Sequence, residues 1–288
     1  YGIPLCPFTI EGDACVGSEN GYDVFDSFME VSCDPYEVDE CIIDCPGRHF
    51  TVHQGAVLTL HGMTLRGATE SSIVVLGGGT FYIYDSYFER NTFISGNGGA
   101  IHASQQSFVS AIRTGFYFNE ALNGGAMYNL GQAAVERSEF YYNDAMSGSG
   151  GAIFSGADSS SEYIENTYRR NAASFYGPAV FDGSLLAFVT TSNIACENTN
   201  FLSTGCDGIF SFVQQQCSTF GDFCDARSFL PERVQSQLDS QSIFLPTAQP
   251  SSRPSQYPSA TPSLRPSPLP SLRPSSLPSF PISPQMES

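Results

Sequence analysis

The chain has 288 residues, of which 41% are hydrophobic, and no apolar run is long enough to cross a membrane as a helix. Its formal net charge is −17, from 29 acidic residues against 12 basic residues, all of them arginine. A surface this acidic repels phosphate backbones and anionic lipids, so the composition argues against a nucleic-acid partner and against membrane insertion.

Cysteines concentrate in two segments. Residues 1–46 contain five of the nine cysteines and residues 196–245 contain the other four. The spacings do not supply the paired ligands of a zinc site, so we expect disulfide bonds and therefore a secreted or cell-surface protein. We predict a Cys-rich acidic cap over 1–46 and a Cys-rich cap and connector over 196–245. The odd ninth cysteine leaves a free thiol, a bridge between the clusters or a link to another molecule.

An internal repeat occupies the part of the chain between the two cysteine clusters. Its first motif is Gly-Gly-Ala followed by Ile or Met, degenerate in the last copy, at 98–101, 124–127, 150–153 and 177–180. Its second motif is aromatic-x-x-Asn, at 88–91, 116–119, 140–143 and 168–171. A unit of about 26 residues with two short apolar segments cannot bury its own hydrophobic face, so the copies must stack.

Stacked coils bring equivalent side chains into columns, because each short strand pairs with the same strand one turn away. We predict an interior aliphatic column of Ile101, Met127, Ile153 and Val180. We predict an interior aromatic column of Phe88, Phe116, Phe140 and Tyr168. We also predict a ladder of hydrogen-bonded amides from Asn91, Asn119, Asn143 and Asn171. The predicted fold is all-β: a right-handed parallel β-helix (solenoid) of roughly six coils over 47–195, with disulfide-rich caps.

The C-terminal residues 246–288 form a separate segment with proline at every fourth position, almost always followed by serine. Because each proline lacks an N–H and fixes φ, this repeat forms neither a helix nor a central strand. We predict a disordered, extended Pro/Ser-rich stalk. An O-glycosylated mucin-like stalk and a bare linker are both compatible with this composition.

The two alternating motifs resemble the repeat of the polymorphic outer-membrane-protein family, and more broadly of right-handed β-helix (pectin-lyase-like) proteins. The resemblance covers about residues 77–183, and Pro178 departs from the Gly-Gly-Ala pattern. It implies a β-helix that serves either as a surface adhesin or as a polysaccharide lyase or hydrolase. The Pro/Ser-rich tail resembles those of extracellular proteins of diatoms and related algae.

One pair of carboxylates is the candidate catalytic site. Glu120 and Asp144 each follow a ladder asparagine in consecutive coils, so their strands lie about 4.8 Å apart. Such a spacing suits a retaining glycosidase pair or two ligands of a calcium ion. The flanking coils offer Thr92 and Ala172, so the column stops at two. A solvated corner of the solenoid is the simpler interpretation, and we favour it.

Two aromatic pairs on adjacent coils form the candidate ligand-binding site, Tyr117-Phe118 and Tyr141-Tyr142. Strand alternation would turn one member of each pair outward and leave a two-ring shelf on which a sugar can stack. The alternative is a second internal aromatic stack, which we favour over the shelf.

The expected function is that of a non-catalytic extracellular surface or matrix protein, a rigid scaffold for adhesion or for binding glycan or protein. The expected partner is an extracellular polysaccharide or a surface protein. No cofactor is predicted, and calcium is the one metal that the carboxylates suggest. The alternative is a secreted polysaccharide-active enzyme, a lyase or glycoside hydrolase of the pectin-lyase-like class. The missing Asp-Asp, Asn-Thr-Asp and Gly-His-Gly motifs favour the first expectation.

Overall fold

The computed structural model describes residues 22–25, 27–33, 41–184 and 188–200, and four further strand backbones at 2–4, 8–11, 209–211 and 216–218. The predicted stalk lies outside the described residues, as do Cys6, Cys15, Cys206 and Cys224. Every strand and turn in the described part belongs to an all-β structure without helix.

Thirty short strands make up this structure. In chain order they are β1 (Gly2–Pro4), β2 (Phe8–Glu11), β3 (Tyr22–Val24), β4 (Phe28–Ser32), β5 (Cys41–Asp44), β6 (Phe50–Val52), β7 (Val57–His61), β8 (Thr64–Arg66), β9 (Ile73–Val75), β10 (Thr80–Tyr84), β11 (Tyr87–Glu89), β12 (Thr92–Phe93), β13 (Ile101–Ala103), β14 (Phe108–Ile112), β15 (Gly115–Tyr117), β16 (Glu120–Ala121), β17 (Met127–Asn129), β18 (Gln132–Glu136), β19 (Glu139–Tyr141), β20 (Asp144–Ala145), β21 (Ile153–Ser155), β22 (Ser160–Ile164), β23 (Thr167–Arg169), β24 (Ala172–Ala173), β25 (Val180–Asp182), β26 (Phe188–Thr191), β27 (Ile194–Cys196), β28 (Thr199–Asn200), β29 (Ile209–Ser211) and β30 (Gln216–Ser218).

The strands form four sheets that run along one axis. Sheet 1 is β1-β4-β7-β10-β14-β18-β22-β26 and sheet 2 is β2-β5-β8-β11-β15-β19-β23-β27. Sheet 3 is β12-β16-β20-β24-β28, and sheet 4 is β3-β6-β9-β13-β17-β21-β25-β29-β30. From β10 to β29 the chain visits the sheets in this order and returns to sheet 1 one strand further on, whereas β1 to β9 pass from sheet 2 directly to sheet 4. Neighbouring strands are parallel apart from the antiparallel β29–β30 pair, so the fold is the predicted parallel β-solenoid.

The predicted number of coils is confirmed, and further parallel strands precede residue 47. Sheet 1 contains six strands between residues 47 and 195, one for each predicted coil. The segment 1–46, predicted as a separate cap, contributes β1–β5, and these strands pair in parallel within sheets 1, 2 and 4. These strands carry neither repeat motif, so the sequence did not reveal that they continue the coils.

Disulfide bonds occur near both ends of the coils. Cys33 and Cys41 are bonded to each other, with their Cα atoms 6.2 Å apart. Cys45 and Cys196 each take part in a disulfide bond as well. The prediction that the N-terminal cysteines pair among themselves is therefore confirmed for Cys33 and Cys41.

The predicted interior columns are present and fully buried. Phe116 stacks on Phe140 with ring centroids 4.6 Å apart, and Phe88 and Tyr168 extend the stack at 5.2 and 4.9 Å. The aliphatic column of Ile101, Met127, Ile153 and Val180 is in register across sheet 4. All eight side chains have 0% exposure, so their burial contributes to the hydrophobic free energy of the coils.

The amide ladder is also present. Each asparagine donates from Nδ2 to the Oδ1 of the next, at 2.9–3.0 Å, from Asn91 through Asn119, Asn143 and Asn171 to Asn198. Each Oδ1 also accepts the backbone N–H of the preceding asparagine in the column. The ladder thus satisfies backbone groups at a buried corner that strand pairing does not reach.

A different structural constraint explains the residue at each position of the Gly-Gly-Ala motif. The first glycine has positive φ, between 59° and 73° in the three intact copies. The second has no room for a side chain: a Cβ at Gly125 would lie 2.4 Å from the carbonyl oxygen of Gly151 and 2.6 Å from the nitrogen of Asp144. The alanine is buried at 0% exposure in all four copies.

Candidate functional site

A column of residues in the left-handed conformation links sheet 2 to the amide ladder. Its members directly precede the ladder asparagines and have φ between 52° and 56°: Arg90, Phe118, Tyr142, Arg170 and Glu197. Their backbone N–H groups still bond to the next rung, for example from Phe118 to the carbonyl of Tyr141 at 3.0 Å. The hydrogen bonds along the stack help to offset the cost of this conformation, about 1–2 kcal/mol for a residue other than glycine.

Four of these side chains form a continuous stack, which we call the stacked column. Phe118 and Tyr142 lie face to face with centroids 5.0 Å apart and an interplanar angle of 8°. The Arg90 guanidinium covers the Phe118 ring at 6.0 Å, and the Arg170 guanidinium covers the Tyr142 ring at 5.5 Å. Each ring therefore has one face against the other ring and a guanidinium group near its second face.

Arg170 is held at one end of the stacked column by further contacts. Its guanidinium donates to the hydroxyl of Tyr142 and lies 2.5 Å from Glu197 Oε2. These contacts raise the pKa of Arg170. Hydrogen bonds from Arg169 and then from Arg170 lower the pKa of Glu197. Arg90, at the other end, forms no ion pair with the described residues. The column thus has one anchored and one less constrained cation.

Glu120 and Asp144 lie beside the stacked column. They are register partners at the first positions of β16 and β20, with Thr92 before them and Ala172 after them. The following residues, Ala121 and Ala145, are buried at 0% exposure, so strand alternation turns both carboxylates outward.

The environment of Asp144 is unusual for a surface carboxylate. Burial, and then the charge of Glu120, raise the pKa of Asp144 above its ordinary value. Its Oδ1 atom is inaccessible to solvent and has no hydrogen-bond donor within the described residues. A buried acceptor without a donor costs free energy, which adds to the cost of ionising this carboxyl.

These two features share one groove of about 560 Å³. The stacked column and both carboxylates line it, together with Thr92, Asn143 and Ala172. The groove therefore combines two carboxylates, two guanidinium groups and the edges of two aromatic rings on one face of the solenoid.

No family model matches this chain, and neither a curated protein nor a solved structure matches it. The assignment of a function therefore rests on the groove and on the fold. Within the residues that the structure describes, no helix is long and apolar enough to cross a membrane.

Four of the six candidate residues from the sequence line the groove, and two do not. Glu120, Asp144, Phe118 and Tyr142 line it. Tyr117 and Tyr141 are buried at 2% and 3% exposure in a cluster against which Phe118 and Tyr142 pack. Because the faces of Phe118 and Tyr142 cover each other, a flat sugar-stacking shelf is not present in this arrangement.

Tyr117 and Tyr141 support the groove from within the structure. The Tyr117 hydroxyl donates to Glu139 Oε2 at 2.9 Å, and burial raises the pKa of both tyrosines. Partial burial also raises the pKa of Glu139. Substituting either tyrosine would remove buried packing contacts, so a loss of ligand binding in such a variant would not identify a direct ligand contact.

The sequence interpretation missed Arg90 and Arg170. The signal was available, since both occupy the position before the ladder asparagine, as Phe118 and Tyr142 do. Once the coil register is known, the four residues form one column. The order arginine, aromatic, aromatic, arginine along it is then a direct property of the repeat.

A metal site is not preformed in the described part of the chain. No group of three or more His, Cys, Asp or Glu side chains is arranged to hold an ion there. Calcium takes six to eight oxygen ligands, so Glu120 and Asp144 alone would not complete its coordination. His49 is 2% exposed and bonds to Ser72 Oγ at 2.7 Å, and burial lowers its pKa to about 4, which indicates a structural role.

Proposed function

We propose that this protein is a non-catalytic extracellular scaffold, a rigid solenoid that binds glycan through the groove beside the stacked column. The observation that carries the proposal is the groove itself, in which carboxylates, guanidinium groups and aromatic edges converge. Glycans present many hydroxyl groups, each of which can donate to a carboxylate and accept from a guanidinium. A mixed polar groove with an aromatic wall suits such a ligand.

The disulfide bonds support an extracellular location. Cys33, Cys41, Cys45 and Cys196 are all bonded, and such bonds persist in oxidising compartments. The acidic composition, with a net charge of −17, argues against binding to nucleic acid. A cell-surface or cell-wall location is the setting in which a glycan-binding scaffold of this kind would act.

A polysaccharide-active enzyme is the second candidate, and one observation favours it. The pKa of Asp144 is raised while Glu120 lies on the neighbouring strand, and glycosidases use one protonated and one ionised carboxyl. One point weighs against catalysis. The two side chains project in parallel from adjacent strands of one sheet, whereas a retaining pair flanks the scissile bond.

The test uses the full chain, folded under oxidising conditions and incubated with neutral, acidic and amino polysaccharides, with and without calcium. We expect retention on at least one polysaccharide without new chain ends. Tyr142→Ala should reduce retention, and Tyr84→Ala, which removes a partly exposed tyrosine from sheet 1, should not.

Two results would contradict the proposal. New chain ends that disappear in Glu120→Gln or Asp144→Asn would make the protein an enzyme. The absence of retention on every polysaccharide would remove glycan binding as the function of the groove.

A further inference from the structure

A column of partly exposed rings lies on the outer face of sheet 4. In each of β13, β17, β21 and β25 two buried residues flank one outward side chain, and the four outward side chains are register partners: His102, Tyr128, Phe154 and Phe181. Their ring centroids follow one another at 4.9–5.2 Å. Unlike the interior columns, these rings are only partly buried, so apolar surface remains accessible to solvent.

The turns that lead from sheet 3 into sheet 4 extend this apolar surface. Ile94, Phe175 and Tyr176 lie in two of these turns, and each is 40% or more exposed. The Tyr176 ring lies 6.3 Å from that of Phe181, which joins the turn to the column of rings. Within residues 41–184 no other large hydrophobic side chain is exposed, so the accessible apolar surface of these coils is concentrated on one side.

This side of the solenoid is also almost free of charge, and we call it the neutral face. It is formed by four segments that run from the end of a sheet 3 strand through sheet 4 toward the next sheet 1 strand: 94–107, 122–131, 146–159 and 174–184. They contain no arginine and no glutamate, and of their two aspartates Asp182 is buried, which leaves Asp158 exposed. Burial lowers the pKa of His102, which favours its neutral ring.

The other faces of the same coils carry acidic side chains. Sheet 1 presents Glu162, sheet 2 presents Glu139, and sheet 3 presents Glu120 and Asp144. The whole chain has a net charge of −17, so two copies repel each other wherever these charged faces meet. The electrostatic cost of bringing two copies together is therefore lowest at the neutral face.

We infer that the neutral face is the interface of a homodimer, in which it packs against the same face of a second copy. A two-fold axis brings equal surfaces together and is the commonest symmetry of protein oligomers. The rings protrude at the strand spacing of about 4.8 Å, so a second copy presents ridges and grooves of the same period by construction. An unrelated partner would have to match both this period and the lack of charge independently.

The dimer leaves the groove accessible in both copies. The groove lies at the corner between sheets 2 and 3, whereas the neutral face covers sheet 4 and the corner between sheets 3 and 4. Two grooves in one particle raise the avidity for a polysaccharide that reaches both of them. Because association is measured without a ligand, its absence would leave the proposed glycan binding untouched.

The experiment measures the mass of the full chain in solution by sedimentation equilibrium, which does not depend on molecular shape. We expect a dimer with a dissociation constant on the order of micromolar, at the weak end for interfaces of standard size. Phe154→Asp places a charge on each copy within the neutral face and should weaken association about 100-fold or more. Tyr82→Asp introduces the same charge at a partly exposed ring on the outer face of sheet 1, and it should leave the dissociation constant unchanged.

Two complementary variants test whether both copies meet through the same face. Phe154→Asp and Phe154→Arg should each associate weakly alone. An equimolar mixture should associate more tightly than either variant, because opposite charges then meet within the interface. Unchanged near-ultraviolet circular dichroism and melting temperature would show that each variant is folded.

Four outcomes would overturn the homodimer. They are a monomer at every concentration, a dimer that tolerates Phe154→Asp, a mixture that associates no better than its separate variants, and a dimer that non-reducing electrophoresis shows to be disulfide-linked. The last would assign association to the odd cysteine. A monomer in which Tyr128 and Phe154 are protected from hydroxyl-radical labelling would further show that another part of the same chain covers the neutral face.

Discussion

Asn143 shows how much of this structure depends on single buried amides. Its Oδ1 accepts from the backbone N–H and from Nδ2 of Asn119, and its Nδ2 donates to the carbonyl of Phe116 and to Asn171. Its exposure is 0%, so water cannot replace any of these bonds. The residue therefore joins three consecutive coils at a corner where strand pairing is short.

We expect Asn143→Ala to destabilise the protein by roughly 3 kcal/mol or more, because it removes four buried hydrogen bonds. Denaturant unfolding monitored by circular dichroism would measure the change in the free energy of unfolding. Gln132→Ala, at an exposed amide of sheet 1, should change it by less than about 0.5 kcal/mol. A similar small effect at Asn143 would show that the ladder is not a major source of stability.

The raised pKa of Asp144 predicts how the stability of the fold depends on pH. Its pKa in the folded chain is raised above 3.8, so the folded state holds the proton more tightly than the unfolded state. The stability that this group contributes is therefore present at low pH and is lost as the pH rises through the folded pKa. Asp144→Asn, which cannot ionise, should melt at a higher temperature than the wild type at neutral pH.

The melting temperatures of Asp144→Asn and wild type should converge as the pH falls below about 3.8. Differential scanning calorimetry across this range would measure the difference. Asp158→Asn, at an exposed position, should show no comparable dependence. A variant that is less stable than the wild type at neutral pH would mean that the Asp144 charge is compensated within the fold.

At the scale of the elements, the corners between sheets limit which side chains the repeat accepts. At Gly125 the backbones of three chain segments approach so closely that a Cβ would lie within 2.4–2.7 Å of the Gly151 carbonyl and of Asp144 N and O. These are backbone atoms held by inter-strand hydrogen bonds, so they cannot move aside independently. The second glycine of the motif is therefore a requirement of coil spacing.

Gly125→Ala should destabilise the protein by about 1–3 kcal/mol, since the coils must separate locally to admit the methyl group. Because Asp144 lies at the contact, the same variant should also weaken ligand binding in the groove. Gly183→Ala is the matched control, because its nearest atoms would be 3.1 Å from the new Cβ and one of them belongs to a side chain. Equal effects of the two substitutions on unfolding would contradict this explanation.

At the scale of the whole molecule, each coil contacts mainly the coils before and after it. The stability of a coil therefore depends mostly on its interfaces with those two neighbours. The Cys33–Cys41 disulfide closes a loop of eight residues beside β4 and β5, near the N-terminal end of the sheets. A cross-link of this length stabilises by roughly 2–3 kcal/mol through the unfolded chain. Its effect should therefore be greatest in the N-terminal coils.

Cys33→Ala/Cys41→Ala should increase amide hydrogen exchange in β5 to β8 by far more than in β19 to β23. Exchange measured by mass spectrometry on the full chain would resolve the two regions. A uniform increase along the solenoid would show that the coils unfold as one unit and that the disulfide acts globally.

Several features followed from the sequence alone. The 26-residue period, the Gly-Gly-Ala corners and the asparagines predicted the parallel solenoid, the number of coils and the three interior columns. They also placed Glu120 and Asp144 on neighbouring strands. These inferences succeed because stacking in a solenoid converts equal sequence spacing directly into spatial contact.

Other features were decided by the tertiary structure. The sequence could not show which ring of each aromatic pair faces the groove, because Phe118 and Tyr142 adopt a left-handed turn in which strand alternation no longer holds. Nor could it show that Arg90 and Arg170 lie over those rings, or that one carboxylate oxygen of Asp144 is inaccessible to water. Periodicity determines which residues share a column, but the turn geometry and the packing of neighbouring coils determine where their side chains point and how far they are buried.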